Sequence, residues 1–203
     1  MIDTALILLA AGGSSRLGES KQLLPYKGKT LLTNSLEAAL SSAVNLVACV
    51  YAAKEVKEVV EKSSLHTNEK IILVENKDWQ SGLASSINCG IRAALTKRPE
   101  TNALMFMTCD QPHVTEQILN NLLVQFANRQ TDKLIAASAY ADTLGIPAIF
   151  AQSLFADLLA LSGDKGAKSI IMQNKDKAVA VSFPQGSIDI DTKQEYEELL
   201  HRS

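Results

Sequence analysis

Ala5-Leu6-Ile7-Leu8-Leu9-Ala10-Ala11-Gly12-Gly13-Ser14-Ser15-Arg16 runs from unbroken apolar residues straight into a glycine- and serine-rich loop. Leu6 to Leu9 do not alternate with polar residues, so this strand is expected to be covered on both faces. Leu104-Met105-Phe106-Met107 reads the same way. With these two, strands are expected over residues 4–11, 45–51, 70–75, 103–109 and 134–138. Helical spacing of Leu, Ile, Val and Ala fills residues 31–42, 56–62, 83–97 and 115–129. Strand and helix alternate, which predicts an α/β fold: a mostly parallel sheet with helices on both faces. Beyond Gly145 a short strand is expected at 147–150, helices at 152–161 and 168–173, and a strand at 178–183. A closing helix at 192–200 carries the capping-box pair Thr192 and Glu195. No repeat or linker interrupts the chain, and residues 1–203 read as one domain. The weakest point is 141–145, read as a functional loop.

Composition narrows the function. Across 203 residues, 20 basic side chains face 22 acidic ones, for a net charge of -2. No basic excess is available to neutralise a polyanion, and 5% aromatic residues make a poor base-stacking platform, so nucleic acid is not expected as a partner. Cys49, Cys89 and Cys109 form no C-x-x-C pair and read as reduced, packed thiols. The first apolar run lacks the basic flank of a signal peptide, and none reaches the roughly 20 residues of a membrane span. A cytoplasmic protein with no membrane partner is expected.

In an open α/β sheet, ligands bind beyond the carboxyl ends of the strands. Residues 10–22 there contain three glycines, three serines, Arg16 and Lys21. Such a loop can bring backbone N–H groups and positive charge to an anion. It is not a dinucleotide fingerprint, because Ser14 and Ser15 stand where that pattern needs glycine. It is not a P-loop either: Gly28-Lys29-Thr30 has Leu23 in place of the leading glycine. After the second apolar strand comes Asp110-Gln111-Pro112-His113. Asp110 can start a turn, cap the helix near Thr115, or hold Mg²⁺, which favours one or two carboxylates plus phosphate oxygens. If it lies among other acids, Asp110→Asn should leave stability unchanged or raise it. Asp189 and Asp191, two apart, share one side of an extended segment and could complete a metal site. Trp79 precedes a Gly82-Leu83-Ala84-Ser85-Ser86 turn that opens a helix.

Six segments in order resemble the molybdenum cofactor nucleotidylyltransferases of the NTP-transferase superfamily. They are Leu9-Ala10-Ala11-Gly12-Gly13-Ser14-Ser15-Arg16 with Lys21, Gly82 to Ser86, Asp110-Gln111-Pro112, Gly145-Ile146-Pro147, Gly163 to Ala167, and Asp189 to Thr192. The resemblance implies a three-layer Rossmann-like fold of the nucleotide-diphospho-sugar transferase type. It implies transfer of a nucleoside monophosphate from an NTP to a phosphorylated pterin, with Mg²⁺ as cofactor. The L-A-A-G form at Leu9 to Gly12 resembles the CTP-using branch. Arg16, Lys21 and Asp110 are then the catalytic residues. Leu9, Ala10, Ala11, Gly12, Gly13, Ser14, Ser15, Arg16, Lys21, Gly82, Ser85 and Ser86 bind the nucleotide, and Asp110, Asp191 and Asp189 the metal. Trp79, Gly145, Pro147 and Lys168 fall to the acceptor, and a molybdoenzyme or its maturation chaperone would be the protein partner. A guanylyltransferase, a sugar- or polyol-phosphate nucleotidylyltransferase and a non-catalytic nucleotide-binding regulator stay open as alternatives.

Overall fold

The computed structural model describes residues 2–13 and 20–201. Strand β1 (Thr4–Ala10) is followed by a 3-10 turn (Lys21–Leu23) and a small hairpin, β2 (Pro25–Tyr26) and β3 (Lys29–Thr30). Then come α1 (Leu31–Ser41), β4 (Leu46–Tyr51), α2 (Lys54–Lys62), β5 (Ile71–Glu75), α3 (Leu83–Lys97), β6 (Ala103–Thr108) and α4 (Glu116–Ala127). The chain continues through β7 (Ile135–Tyr140), β8 (Thr143–Ala151), α5 (Phe155–Leu159), α6 (Ala167–Gln173), β9 (Ala178–Ser182) and α7 (Lys193–His201).

Seven strands form one sheet in the order β5-β4-β1-β6-β8-β7-β9. All pairings are parallel except those of β8, which runs antiparallel to β6 and β7. The expected mostly parallel α/β sheet is therefore present. β1 shows why the apolar run does not alternate. Leu6 and Leu8 point into a core shared with Leu32 and Leu36 of α1 and Leu119 and Leu122 of α4. Ala5 and Ile7 point the other way, towards Ile87 and Ile91 of α3 and Ile170 and Ile171 of α6. Every β1 residue is buried, as a central strand between two helical layers requires. At Gly90 a Cβ would lie 2.5 Å from Ile7 and 2.9 Å from Val50, so the missing side chain lets α3 settle close onto β1 and β4. No helix among the described residues is long and apolar enough to cross a membrane.

The region after β6 departs from expectation. Residues 141–145 are not a loop. Ala141 and Asp142, at φ 46° and 57°, make a tight hairpin turn, and β8 starts at Thr143. Pro147, expected to open a short strand, lies inside β8 instead, and a bulge accommodates its missing N–H. Pairing with β7 jumps from Ala137↔Ala148 to Ser138↔Gly145, leaving Ile146 and Pro147 without β7 partners. The Ser138 hydroxyl satisfies the Pro147 carbonyl at 2.7 Å. The helix expected at 152–161 shortens to a 3-10 turn and α5. At the C-terminus the capping box forms as read: a Glu195 carboxylate oxygen accepts from the Thr192 N–H at 2.7 Å, and the Glu195 N–H donates to the Thr192 hydroxyl at 3.3 Å.

Candidate active site

β1 and β6 are parallel neighbours with Leu9 beside Thr108, so the glycine loop and the Asp110 turn emerge side by side. Between them opens a cleft of about 410 Å³, with Gly12, Gly13, Lys21, Trp79, Ser86 and Asp110 in its walls. The C-terminal segment joins this rim through the backbone, the Ile190 N–H donating to the Asp110 carbonyl at 2.9 Å. Asp191 thereby reaches the same spot from far along the chain.

Lys21 stands at the convergence. Its Nζ donates to Asp110 Oδ2 at 2.6 Å and to Asp191 Oδ1 at 2.8 Å. Burial opposes the ammonium charge, but attraction to Asp110 and hydrogen bonds to both carboxylates outweigh it and raise the lysine pKa above its ordinary range. Two carboxylates thus already share one cation. Oxygen donors of this kind suit Mg²⁺, which completes its shell with phosphate oxygens and water. Among the described residues no group of three or more His, Cys, Asp or Glu side chains is arranged to hold a metal alone. The residues present therefore fit a metal that arrives with phosphate ligands. Asp189 neighbours this pair: burial, then Asp191 and Asp110, push its carboxyl up. It lines a separate cavity of about 320 Å³ with Tyr26, Lys27 and His113. The cap of α4 belongs to Thr115, whose hydroxyl accepts from the Ile118 N–H, and the Asp110 carboxylate is engaged by Lys21.

Three buried amides hold the rim and were not singled out by the sequence. Gln22 donates to the Ala10 and Gly12 carbonyls at 3.2 and 2.8 Å, tying the Lys21 turn to the base of the glycine loop. Asn76 donates to the Ser85 and Ser86 hydroxyls, both at 2.9 Å. Gln111 donates to the Ile146 and Gly186 carbonyls at 3.2 and 2.9 Å, clamping the Asp110 turn to the β8 bulge and the C-terminal segment. Their only signal was position: Gln22 next to and Gln111 within a quoted motif, and Asn76 directly after a strand.

The remaining candidates divide. Leu9, Ala11, Gly12, Gly13, Gly82 and Ser86 line the cleft with Lys21 and Asp110. Ala10 lies under the loop as an acceptor for Gln22, and the Ser85 hydroxyl donates to the Gly82 carbonyl at 2.8 Å. Trp79 sits in the cleft wall beside Gly13, where a Cβ would meet its ring at 2.7 Å. Gly145 and Pro147 lie at the β8 bulge and Lys168 on the exposed side of α6, all three outside the cleft lining. Ser14, Ser15 and Arg16 lie outside the described residues.

Gly82 has φ +110°, and a Cβ there would fall 2.3 Å from the Gly163 carbonyl group. The two glycine turns meet here, the Ala84 N–H donating to the Gly163 carbonyl at 3.0 Å. Gly82→Ala should cost at least about 2 kcal/mol, since a strained backbone conformation and overpacking each cost ~1–3 kcal/mol. Gly163→Ala, at φ +61° in open space, should cost only about 1–2 kcal/mol. Urea unfolding of the two variants checks the difference, and equal losses would contradict it.

The chain is 27% identical to the purine catabolism protein PucB of Bacillus subtilis over 197 residues, covering 94% of this chain and 93% of that protein. It is 30% identical to the nicotine blue oxidoreductase of Paenarthrobacter nicotinovorans, covering 96% and 95%. It is also 30% identical to the molybdenum cofactor cytidylyltransferase of Escherichia coli, over 45% of each chain. Among solved structures, an Rv0371c homologue from Mycobacterium sp. strain JC1 superposes with a TM-score of 0.78 at 30% identity, covering 98% of this chain and 96% of that one. Rv0371c of Mycobacterium tuberculosis H37Rv, solved as a complex with manganese, gives 0.74 at 25% identity, covering 99% and 100%. The model of the MobA-like NTP transferase domain matches residues 6–178, which contain the glycine loop, the Asp110 turn, five of the seven strands of the sheet in full and most of β1. With the parallel sheet and the cleft at its carboxyl rim, that match leaves one assignment: the chain belongs to the family of MobA-like NTP transferase domains.

Proposed function

We propose that the protein, as one domain over residues 1–203, is a Mg²⁺-dependent nucleotidylyltransferase that moves CMP from CTP to the terminal phosphate of molybdopterin. The observation that carries this reading is the Lys21 ammonium held between Asp110 and Asp191 at the mouth of the glycine-loop cleft. Such a site offers a cation for a leaving phosphate and a carboxylate pair for a metal that phosphate helps to hold. The molybdenum cofactor cytidylyltransferase among the relatives and the L-A-A-G form at Leu9 to Gly12 support the choice of acceptor and base. A molybdoenzyme or its maturation chaperone would receive the product, in the cytoplasm.

In this reaction an acceptor phosphate oxygen bonds to the α-phosphorus as the bond from that phosphorus to the bridging oxygen of the β-phosphate breaks. Pyrophosphate carries away the electron pair. The nucleophile is already largely ionised, since the second pKa of a phosphate monoester is about 6, so no side chain need take its proton. The work of the chain is positioning and charge neutralisation. Backbone N–H groups of Gly12 and Gly13, with Ser14, Ser15 and Arg16, cradle the triphosphate. Lys21 meets the charge that grows on pyrophosphate. Asp110 and Asp191, with Asp189 alongside, would hold Mg²⁺, which when bound neutralises phosphate oxygens. Gly82, Ser85 and Ser86 border the nucleoside, and Gly145, Pro147 and Lys168 fall to the acceptor.

Pyrophosphate release with CTP, GTP, ATP and UTP against molybdopterin, sugar phosphates and polyol phosphates tests the reading. CTP with molybdopterin should give the highest kcat/KM, at least ~10-fold above GTP, because a wrong base leaves buried polar groups unpaired. Equal or better use of GTP would make the protein a guanylyltransferase. No pyrophosphate from any pairing would overturn nucleotidyl transfer and turn attention to the oxidoreductase among the relatives.

Trp79 offers a direct report on binding because it is the only tryptophan of the chain. We read it here on the nucleotide side rather than the acceptor side, a reading that its place beside Gly13 supports. Its fluorescence should change on addition of Mg²⁺ and CTP and stay level with acceptor alone. A response to acceptor alone would return Trp79 to the acceptor side.

A further inference from the structure

We infer that Lys21 acts in the nucleotide-free protein as a resident cation that closes the Asp110–Asp191 pair to divalent metal until a triphosphate draws the ammonium away. This rests on the reading of the cleft as a metal–nucleotide site and adds an order to it: metal and nucleotide enter together.

The argument starts from the oxygens. Nζ holds Asp110 Oδ2 at 2.6 Å and Asp191 Oδ1 at 2.8 Å, one oxygen from each carboxylate. A metal bridging the pair would use oxygens at this same point of convergence. Bonds from Mg²⁺ to oxygen are about 2.1 Å, so a metal there and an ammonium at hydrogen-bond distance would crowd and repel each other. The Lys21 and Asp110 side chains are only 15% and 17% exposed, so water screens their contact weakly. The lysine is therefore a strong local competitor for the site.

It is also placed to leave. Gln22, the next residue, is buried and bonded to the Ala10 and Gly12 carbonyls, which keeps the Lys21 backbone beside the glycine loop. Lys21 lines the same cleft as Gly12 and Gly13. Its four-carbon stem can thus swing the ammonium from carboxylates to phosphates with the backbone in place. The exchange is balanced in charge: the carboxylates give up one ammonium and gain a metal, while the phosphates gain the ammonium. Metal held without nucleotide would waste this arrangement, and Lys21 prevents it.

The test titrates Mn²⁺ alone onto the nucleotide-free full chain and reads unbound Mn²⁺ by electron paramagnetic resonance. The unaltered protein should bind weakly. Lys21→Met, with the ammonium gone and the stem length kept, should bind at least ~10-fold more tightly, the scale of one charged hydrogen bond. Lys21→Gln should gain similarly and serves if Lys21→Met does not fold. Lys21→Arg keeps the charge and should stay weak. Adding Asp110→Asn to Lys21→Met should abolish the gain. The inference is overturned if the unaltered protein binds Mn²⁺ as tightly as both neutral variants, or if both neutral variants bind it more weakly. No nucleotide enters this measurement, so such a result leaves nucleotidyl transfer standing. A gain in Mn²⁺ affinity without pyrophosphate release from any NTP by the unaltered protein would instead remove the functional reading and keep the resident cation.

Discussion

Asp110→Asn is expected to lower turnover by at least ~10²-fold, the loss that follows removal of one electrostatic stabiliser. Asparagine keeps the volume and one acceptor oxygen, so a residue that only shaped the turn after β6 would tolerate it. A residue that holds Mg²⁺ against a triphosphate would not, because the hard anionic oxygen is gone. Raising Mg²⁺ should restore only part of the rate, since geometry is lost as well as affinity. The effect on stability reverses the expectation drawn from sequence. There, Asp110 counted as one acid among others and its neutralisation as relief. In the structure its carboxylate is largely buried and accepts from the Lys21 ammonium at 2.6 Å. Losing a hydrogen bond between charged groups costs about 1.5–3 kcal/mol. For a chain of this size each kcal/mol lowers Tm by about 2–4 °C. A thermal melt of the metal-free variant should show that fall, and near-normal turnover at low Mg²⁺ would take Asp110 out of the site.

Lys21→Ala should lower kcat by about 10²–10³-fold, with KM for the metal–nucleotide complex unchanged or reduced. The direction of KM follows from the two positions of the ammonium. In the free protein it pairs with Asp110 and Asp191, so its removal takes nothing from the empty phosphate cradle. In the bound complex it exchanges those carboxylates for phosphates, which leaves ground-state binding little changed, and the charge that grows on pyrophosphate strengthens its contact in the transition state, so its loss lowers kcat and kcat/KM together. Steady-state rates at saturating and limiting nucleotide separate the cases. A raised KM with kcat intact would show that Lys21 binds ground state and transition state alike.

What could be read from the chain was what is written in short windows. Leu6 to Leu9 and Leu104 to Met107 announce two-sided burial by their lack of alternation, and β1 and β6 are buried on both faces. Thr192 and Glu195 sit three residues apart, one helical turn, and their capping box forms as their spacing requires. A glycine loop directly after an apolar strand lies at the carboxyl rim because parallel strands put all such ends on one edge.

What reached beyond such windows was decided by tertiary structure. Lys21 meets Asp110 across 89 positions and Asp191 across 170, and only the sheet order, with Ile190 bonded to the Asp110 carbonyl, brings the three together. Gln22, Asn76 and Gln111 look like ordinary polar loop residues until burial obliges each amide to find carbonyls or hydroxyls. Residues 141–145 read locally as a loop with a strand only from Pro147, yet β8 already starts at Thr143, and its bulge leaves Ile146 and Pro147 out of the β7 pairing register while their carbonyls are satisfied by side chains. The sequence by itself determined the layers, the loops at the rim and the kinds of group they carry. The pairing of those groups, and hence the charge that Asp110 faces, belongs to the tertiary structure, because a charge–charge contact depends on a distance that no local spacing encodes.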